Sequence, residues 1–458
     1  MAAWQQRTDE LGATYYQNTA TGATSWLKLA DDATPSAGDR IAPSTSNDNG
    51  AFDYDAFWRD AWRAANATVP PAWLGRRPPR VFVYDDLPAP FSDWGPDGSG
   101  AEATAFGRPL GGSLYDTSGY AFAAMVHYRL SRSAHRTRDP AAADVFFAPI
   151  LTKPKRHHAL LAACAEVGGR TAELLAALRH LNARTAPRHF VILSKEHPGT
   201  GTPPLNCSGW FNHPAGLLRR AVRVSYSHPQ PAEYRGDVRG YGKQLGIFID
   251  AAPYPHAVSF PYPGSVHVAG PGGAAPFPWD TSQPRPHRLL FTGRDSHGDT
   301  AVRRHISKQC RSLRSPRCVS ASYDFGKGLR LKQQSDFCLE PGGDTPYRKS
   351  LADSIGCGCI PLIFHVMTDN ANEWLWEGWK EGARVLVPRK PFLDGALTLE
   401  RLVDTMPPRL LVQMKATLAA NARRFTISLA DDPGDAVHAL LLGVERQARL
   451  RDKAGADR

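Results

Sequence analysis

Long apolar runs are the first thing this sequence lacks. No stretch approaches the roughly 18–20 apolar residues that a membrane-spanning helix needs. The N-terminal segment MAAWQQRTDE holds neither the basic nor the apolar part of a signal peptide. We therefore expect the chain, as it is written, to carry no membrane anchor and to enter no secretory route.

Cysteine is scarce as well, with seven residues in a chain of 458, which excludes a disulfide scaffold. Cys310 and Cys318 are near enough in sequence to close a short loop, and Cys338, Cys357 and Cys359 cluster downstream. The Cys-Gly-Cys sequence in that cluster has no second pair at zinc-site spacing. We therefore predict no metal site.

Positive charge is abundant. The formal net charge is +11 and the isoelectric point is about 9.4, a balance that favours anionic partners such as nucleic acid, acidic polysaccharide or nucleotide phosphate. The basic residues are spread along the chain without a block, which is more typical of a diffuse solvated surface. No nucleic-acid recognition motif is present, so we predict no nucleic-acid partner.

The chain divides into a small N-terminal unit, a linker and a large body. Residues 1–31 form the small unit, and residues 32–75 combine a Pro- and Ser-rich linker with a short aromatic helix. Beyond them, apolar strands alternate with helical segments, which predicts an α/β fold with parallel sheets covered on both faces. A Pro- and Gly-rich stretch at about 251–287 separates two such halves. We place an N-terminal lobe at 76–265 and a C-terminal lobe at 266–445, with a cleft between them.

The small unit runs from Trp4 to Trp26 and has the turns of a three-stranded antiparallel meander. This pattern resembles the WW domain. The resemblance implies that Tyr15, Thr24 and Trp26 form an aromatic groove for Pro-rich peptides. The sequence departs from the family at Leu29, where a Pro is usual, and the alternative interpretation is a hairpin that serves only as a spacer.

The most informative segment is SDFCLEPGGDTPYRKSLADSIGCGCIPLIF, residues 335–364. A short apolar stretch leads into a Gly-rich turn and the start of a helix, where backbone N–H groups suit phosphate oxygens. Arg348 and Lys349 at the helix opening would add charge-assisted bonds to a diphosphate. Asp353, a little more than one turn further, is placed to accept from a ribose hydroxyl. A nucleotide-sugar donor needs this arrangement, although such a turn is also an ordinary α/β connection.

The same segment closely resembles the signature of exostosin-like glycosyltransferases. Further segments resemble that family in the same order, over roughly residues 78–430: RVFVYDDLP (80–88), AADVFFAPI (142–150), HFVILSKEHPG (189–199) and RLLFTGR (288–294). The resemblance implies a GT-B architecture, in which two Rossmann-like lobes face a cleft. It also implies an inverting transferase that moves a sugar from a UDP-sugar, held by the C-terminal lobe, to a polysaccharide or glycan acceptor.

The resemblance further implies that no cofactor is required, and it leaves Mn²⁺ stimulation open. Its members are typically Golgi membrane proteins, which conflicts with the absence of an anchor in this chain. The implied donor site consists of Arg294, Gly342, Gly343, Arg348, Lys349 and Asp353. For the general base the candidates are Glu196 and His197, each of which is also typical of a capping or surface position. Arg294 is likewise typical of a surface turn.

A different class of function stays open. The body can be read as a catalytically inactive transferase that acts as a scaffold and recruits Pro-rich partners through the WW module. The intact loop from Arg348 to Asp353 favours the transferase. Nothing in the sequence names the sugar, the acceptor or the linkage, because these depend on pocket details in variable loops.

Overall fold

The computed structural model describes part of the chain. The described residues are 4–8, 14–18, 24–25 and 51–456, with gaps at 72, 89–104, 120, 150–170, 194–216, 227–256, 270–283, 297, 322–323 and 344–346. They fall into two compact units. One unit contains residues 75–228, 256–275 and 424–458, and the other contains 276–423 together with the segment before residue 75.

The strands are β1 (Trp4–Thr8), β2 (Thr14–Asn18), β3 (Thr24–Ser25), β4 (Val81–Val83), β5 (Arg108–Gly111), β6 (Leu114–Asp116), β7 (Arg136–Thr137), β8 (Val145–Phe147), β9 (His189–Leu193), β10 (Val222–Ser225), β11 (Ala257–Ser259), β12 (His287–Thr292), β13 (Cys318–Ala321), β14 (Ser335–Glu340), β15 (Ile360–Ile363) and β16 (Val385–Leu386).

The α-helices are α1 (Tyr54–Asn66), α2 (Phe122–Arg132), α3 (Thr171–Ala177), α4 (Thr300–Leu313), α5 (Phe325–Gln333), α6 (Lys349–Gly356), α7 (Val366–Asp369), α8 (Glu373–Trp376), α9 (Arg389–Leu393), α10 (Leu399–Asp404), α11 (Pro408–Asn421) and α12 (Ala436–Ala456). Among the residues with described structure, none of these helices has both the length and the apolar character needed to cross a bilayer.

The first unit is built on a parallel sheet of strand order β11-β10-β9-β8-β4-β7. Strands β4, β8 and β10 are buried along their whole length, as expected of a parallel sheet covered on both faces. Side chains such as Phe82, Phe146 and Val191 form its core. This confirms the predicted α/β character of the N-terminal half.

The second unit has its own parallel sheet, of order β13-β12-β14-β15-β16. The central strand β14 is buried at every residue. A disulfide joins Cys310 in α4 to Cys318 in β13, which closes the short loop expected from the sequence. A second disulfide joins Cys338 in β14 to Cys359 just before β15. This parallel sheet and its helices confirm the predicted α/β character of the C-terminal half.

The two units are not the continuous stretches 76–265 and 266–445 expected from the sequence. Helix α12 packs on strands of the first unit's sheet, and the buried Arg129 of α2 forms an ion pair of 2.7 Å with Asp435 at the start of α12. Helix α1, which the aromatic spacing predicted, packs instead with the second unit, where the Trp58 indole N–H donates to the Thr405 hydroxyl (3.0 Å). Long-range packing of this kind leaves no local trace in the sequence.

Strands β1, β2 and β3 form a three-stranded antiparallel sheet at the N-terminus, with Trp4 opposite Asn18 and Tyr16 opposite Ser25. Tyr15 lies in β2 and Thr24 in β3. Trp26 lies outside the residues that the structure describes. The assignment of this sheet to the WW family stays a prediction.

Candidate active site

A pocket of about 390 Å³ opens at the carboxyl ends of β12 and β13 in the second unit. In parallel α/β sheets this edge is the usual place for a ligand. Its described lining is Thr292, Gly293, Ala321, Asp324, Phe325, Gly328, Leu329, Lys332, Arg348, Lys349, Ser350 and Asp353. Three of the six residues predicted for the donor site, Arg348, Lys349 and Asp353, therefore lie together on one pocket.

The other three predicted donor residues are not part of this described lining. The backbone carbonyls of Arg294 and Gly342 both accept hydrogen bonds from the buried Arg303. Gly343 has protein atoms where a side chain would extend: a Cβ there would lie 1.6 Å from Nη1 of Arg348. Arg348 of the same chain thus occupies the space that a side chain at position 343 would need.

Lys349 and Asp353 form an ion pair with each other on the first turns of α6. The Lys349 ammonium lies 2.9 Å and 3.0 Å from the two carboxylate oxygens of Asp353. It also lies 4.8 Å from the ring centroid of Phe325, across the pocket mouth. Lys349 was predicted to bind phosphate and Asp353 to bind ribose. A ligand bound in this way would therefore contact both residues beside their ion pair, or would replace the ion pair.

Beneath the pocket is a buried polar network that the sequence patterns did not reveal. Lys332, near the end of α5, donates to Glu340 at the end of β14 (2.9 Å), to the Ser350 hydroxyl (3.0 Å) and to the Ser354 hydroxyl (2.6 Å). The Ser350 and Ser354 hydroxyls in turn donate to the same Glu340 oxygen (2.9 Å and 2.5 Å). One carboxylate and one ammonium thus hold three elements together around the pocket.

Burial opposes ionisation of Glu340, yet its pKa is lowered below the ordinary value. The charge of Lys332, the Ser354 hydroxyl and the more distant charge of Arg348 outweigh the loss of solvation. Glu340 is therefore a carboxylate at neutral pH, balanced by Lys332. In the sequence, the only local indication of a buried carboxylate was that Glu340 directly follows the apolar residues FCL.

Cys357 is a buried free thiol at the end of α6. Burial raises its pKa to about 12, and its S–H donates to the Leu329 carbonyl (3.7 Å). A thiol in this state is a poor nucleophile. We therefore exclude Cys357 as a nucleophilic residue of the pocket.

Glu196 and His197, the predicted candidates for the general base, lie outside the described residues. Their roles stay predictions. Among the residues that the structure does describe, no cluster of three His, Cys, Asp or Glu side chains suits a metal ion.

The chain matches the model of the exostosin GT47 domain over residues 75–376. It belongs to the exostosin GT47 family. The match begins where the predicted linker ends and includes the whole pocket lining, so the resemblance stated from the sequence is confirmed. Membership identifies residues 75–376 as an exostosin GT47 domain.

Parts of this GT47 chain match curated relatives from Arabidopsis thaliana in sequence. It is 38% identical over 88 residues to "Xyloglucan-specific galacturonosyltransferase 1", a match to 18% of the chain and 13% of the relative. It is 27% identical over 175 residues to "Probable xyloglucan galactosyltransferase GT19" (34% and 39%). It is 28% identical over 132 residues to "Xyloglucan galactosyltransferase MUR3" (26% and 21%). The chain thus spans well under half the length of each of these relatives.

The solved structures that match this chain do so at low TM-scores. The pneumococcal O-GlcNAc transferase GtfA, in complex with UDP and GlcNAc, has a TM-score of 0.33 at 11% identity and covers 62% of this chain and 60% of its own. SnogD from Streptomyces nogalater has a TM-score of 0.26 at 11% identity, covering 62% and 79%. TM-scores this low support no inference about the GT47 chain.

Proposed function

We propose that this GT47 chain transfers a sugar from a UDP-sugar to a glycan acceptor, with inversion at the anomeric carbon. The observation that carries the proposal is the presence of Arg348, Lys349 and Asp353 on one pocket, at the carboxyl edge of a parallel sheet. Two cations and one carboxylate on a single helix start match the charges of a diphosphate and the hydroxyls of a ribose.

The proposed donor sugar is galactose or galacturonic acid, and the proposed acceptor is a xyloglucan-type polysaccharide. Both come from the names of the relatives that share the GT47 segments. The two sugars differ by a carboxylate at C6, so the choice between them depends on whether the protein places a cation near that carbon.

In the proposed reaction the acceptor hydroxyl oxygen attacks the anomeric carbon from the face opposite the diphosphate. The new glycosidic C–O bond forms as the bond from that carbon to the diphosphate oxygen breaks, and UDP leaves with the electron pair. A base, for which Glu196 and His197 are the candidates, takes the hydroxyl proton. Arg348 and Lys349 stabilise the charge that develops on the departing diphosphate, without a required metal ion.

The two disulfides, Cys310–Cys318 and Cys338–Cys359, favour an oxidising compartment. We therefore propose the Golgi lumen as the place of action, as in the family. The inactive-scaffold alternative is not favoured, because the match to the GT47 model includes the whole pocket lining. Binding of Pro-rich peptides by the N-terminal sheet stays a separate proposal, and Trp26→Ala should abolish it.

The test is isothermal titration of the chain with UDP and with UDP-galactose, UDP-galacturonic acid and UDP-glucose, with and without Mn²⁺. Transfer to xyloglucan oligosaccharides is then followed by mass spectrometry. Saturable UDP binding with preference for one of the first two sugars supports the proposal. If no uridine nucleotide binds, the function is wrong, and if only UDP-glucose is transferred, the proposed donor is wrong.

A further inference from the structure

We propose that Arg303 is a positioning residue that holds Arg348 in place for the diphosphate of the donor. The proposal rests on the function proposed above, and it concerns a residue that does not line the pocket. Arg303 lies in the first turn of α4 and is almost completely buried, with 3% of its surface exposed.

The guanidinium of Arg303 joins two loops that leave the sheet side by side. Its Nε–H donates to the carbonyl of Gly342, after β14, over 2.7 Å, and its Nη1–H donates to the carbonyl of Arg294, after β12, over 2.7 Å. Both carbonyls belong to residues that follow the ends of neighbouring parallel strands. Because a guanidinium is planar and rigid, two such bonds fix the separation and the orientation of the loops.

The backbone of the two loops is packed so closely that only glycine fits. Gly298 has a φ of +68°, and a Cβ on it would lie 2.2 Å from the carbonyl oxygen of Gly343. Gly293 has a φ of +138°, and a Cβ on it would lie 3.0 Å from Nη1 of Arg303. The loop after β12 therefore presses on the loop after β14 at Gly343, beside the carbonyl that Arg303 holds.

Gly343 in turn supports Arg348. A Cβ at Gly343 would lie 1.6 Å from Nη1 of Arg348, so the Arg348 side chain packs directly on the glycine backbone. Arg348 precedes α6 and lines the pocket. The chain of contacts thus runs from Arg303 to Gly342, from the adjacent Gly343 to Arg348, and from Arg348 to the pocket.

The sequence offers a matched control in the next residue. Arg304 follows Arg303 on the same helix, has the same charge and helix propensity, and is exposed. Arg303→Met removes the two donors while retaining the length of the side chain. Arg303→Lys retains the charge but cannot donate in two fixed directions at once.

The experiment compares the full-length wild type with Arg303→Met, Arg303→Lys and Arg304→Met. UDP affinity is measured by isothermal titration well below each variant's melting temperature. Hydrogen exchange is measured in the peptides that cover 291–299 and 338–350. We expect UDP affinity to fall by about 10- to 100-fold in Arg303→Met, with a smaller loss in Arg303→Lys and none in Arg304→Met. Exchange should rise in those two loops and not in the rest of the sheet.

The outcomes separate this inference from the proposed function. If wild type binds UDP and the folded Arg303 variants bind it equally well, the positioning role is wrong and the function stands. If wild type binds no uridine nucleotide, the function fails, and with it the donor role of Arg303, whatever the exchange data show about the loops. If Arg303→Met does not fold, Arg303→Lys is the deciding variant.

Discussion

Two buried polar pairs, one in each compact unit, satisfy their polar groups in different ways. In the first unit, the buried His189 accepts from the Tyr84 hydroxyl at Nε2 (2.9 Å) and donates from Nδ1 to the Thr185 carbonyl (2.8 Å). Burial lowers the pKa of His189 to about 4, so the ring is neutral. In the second unit, Lys332 and Glu340 are equally buried but both charged.

A pair of carboxylates sharpens the comparison. Burial raises the pKa of Asp435 in the first unit, although Arg129 and two backbone N–H groups partly compensate. The pKa of Glu340 in the second unit is lowered, because Lys332 and the Ser354 hydroxyl overcome the effect of burial. Charges are thus kept under the pocket, at the place where an anionic donor is proposed to bind.

The largest expected effect comes from breaking the charged pair. Lys332→Met leaves the Glu340 carboxylate buried without its cation and should lower the free energy of unfolding of the second unit by about 3–5 kcal/mol. Urea denaturation measures this free energy of unfolding. The control is Lys327→Met, which replaces an exposed lysine of the same helix. The double variant Lys332→Met/Glu340→Gln should recover most of the loss. A Lys332→Met protein as stable as Lys327→Met would contradict the charged interpretation.

The neutral pair in the first unit should respond to acid. The pKa of His189 is about 4 in the folded state and about 6.5 in the unfolded state, so the unfolded chain binds the proton first. Stability is therefore full above about pH 6.5 and falls by about 3 kcal/mol as the pH is lowered to 4.

His189→Gln should flatten this dependence, which thermal melting between pH 7 and pH 4 would show. The contribution of Glu340 to stability depends on pH over a different range. Its folded pKa is depressed, so its contribution is present above the ordinary value of 4.5 and is lost only as the pH falls below it. If the first unit is insensitive to acid above pH 4.5, the contrast between the units is wrong.

At the pocket itself, Arg348→Ala should weaken UDP binding by about 10- to 100-fold, since hydrogen bonds to charged groups contribute about 1.5–3 kcal/mol. Arg330→Ala, which removes an exposed arginine of α5, should leave the affinity unchanged. Isothermal titration measures both. Equal affinity in the two variants would remove Arg348 from the donor site.

The smallest effect concerns the thiol among these charges. Cys357 should resist alkylation by iodoacetamide at pH 8 in the folded protein, because burial raises its pKa to about 12. It should react fully after denaturation. Mass spectrometry of the peptide that contains Cys357 measures the labelled fraction. Rapid labelling without denaturant would mean that the thiol is accessible to solvent in the folded protein, against its burial in the structure.

Much of the fold was predictable because the signals are local. Apolar strands alternating with helical segments predicted both parallel sheets. The segment 335–364 predicted the family and assigned Arg348, Lys349 and Asp353 to one donor site, and the structure places all three on one pocket. Arg303, Lys332 and Glu340 were not predictable. A buried charge differs from a solvated one only by what surrounds it, and those neighbours come from other elements.

The sequence by itself determined the family, the α/β class and the helix start that carries the charged residues of the pocket, because each depends on residues adjacent in the chain. Only the tertiary structure decided that Arg303 joins the loop after β12 to the loop after β14, and that α12 packs on the sheet of the first unit. These depend on distances between segments that are remote in sequence, which periodicity and spacing do not encode.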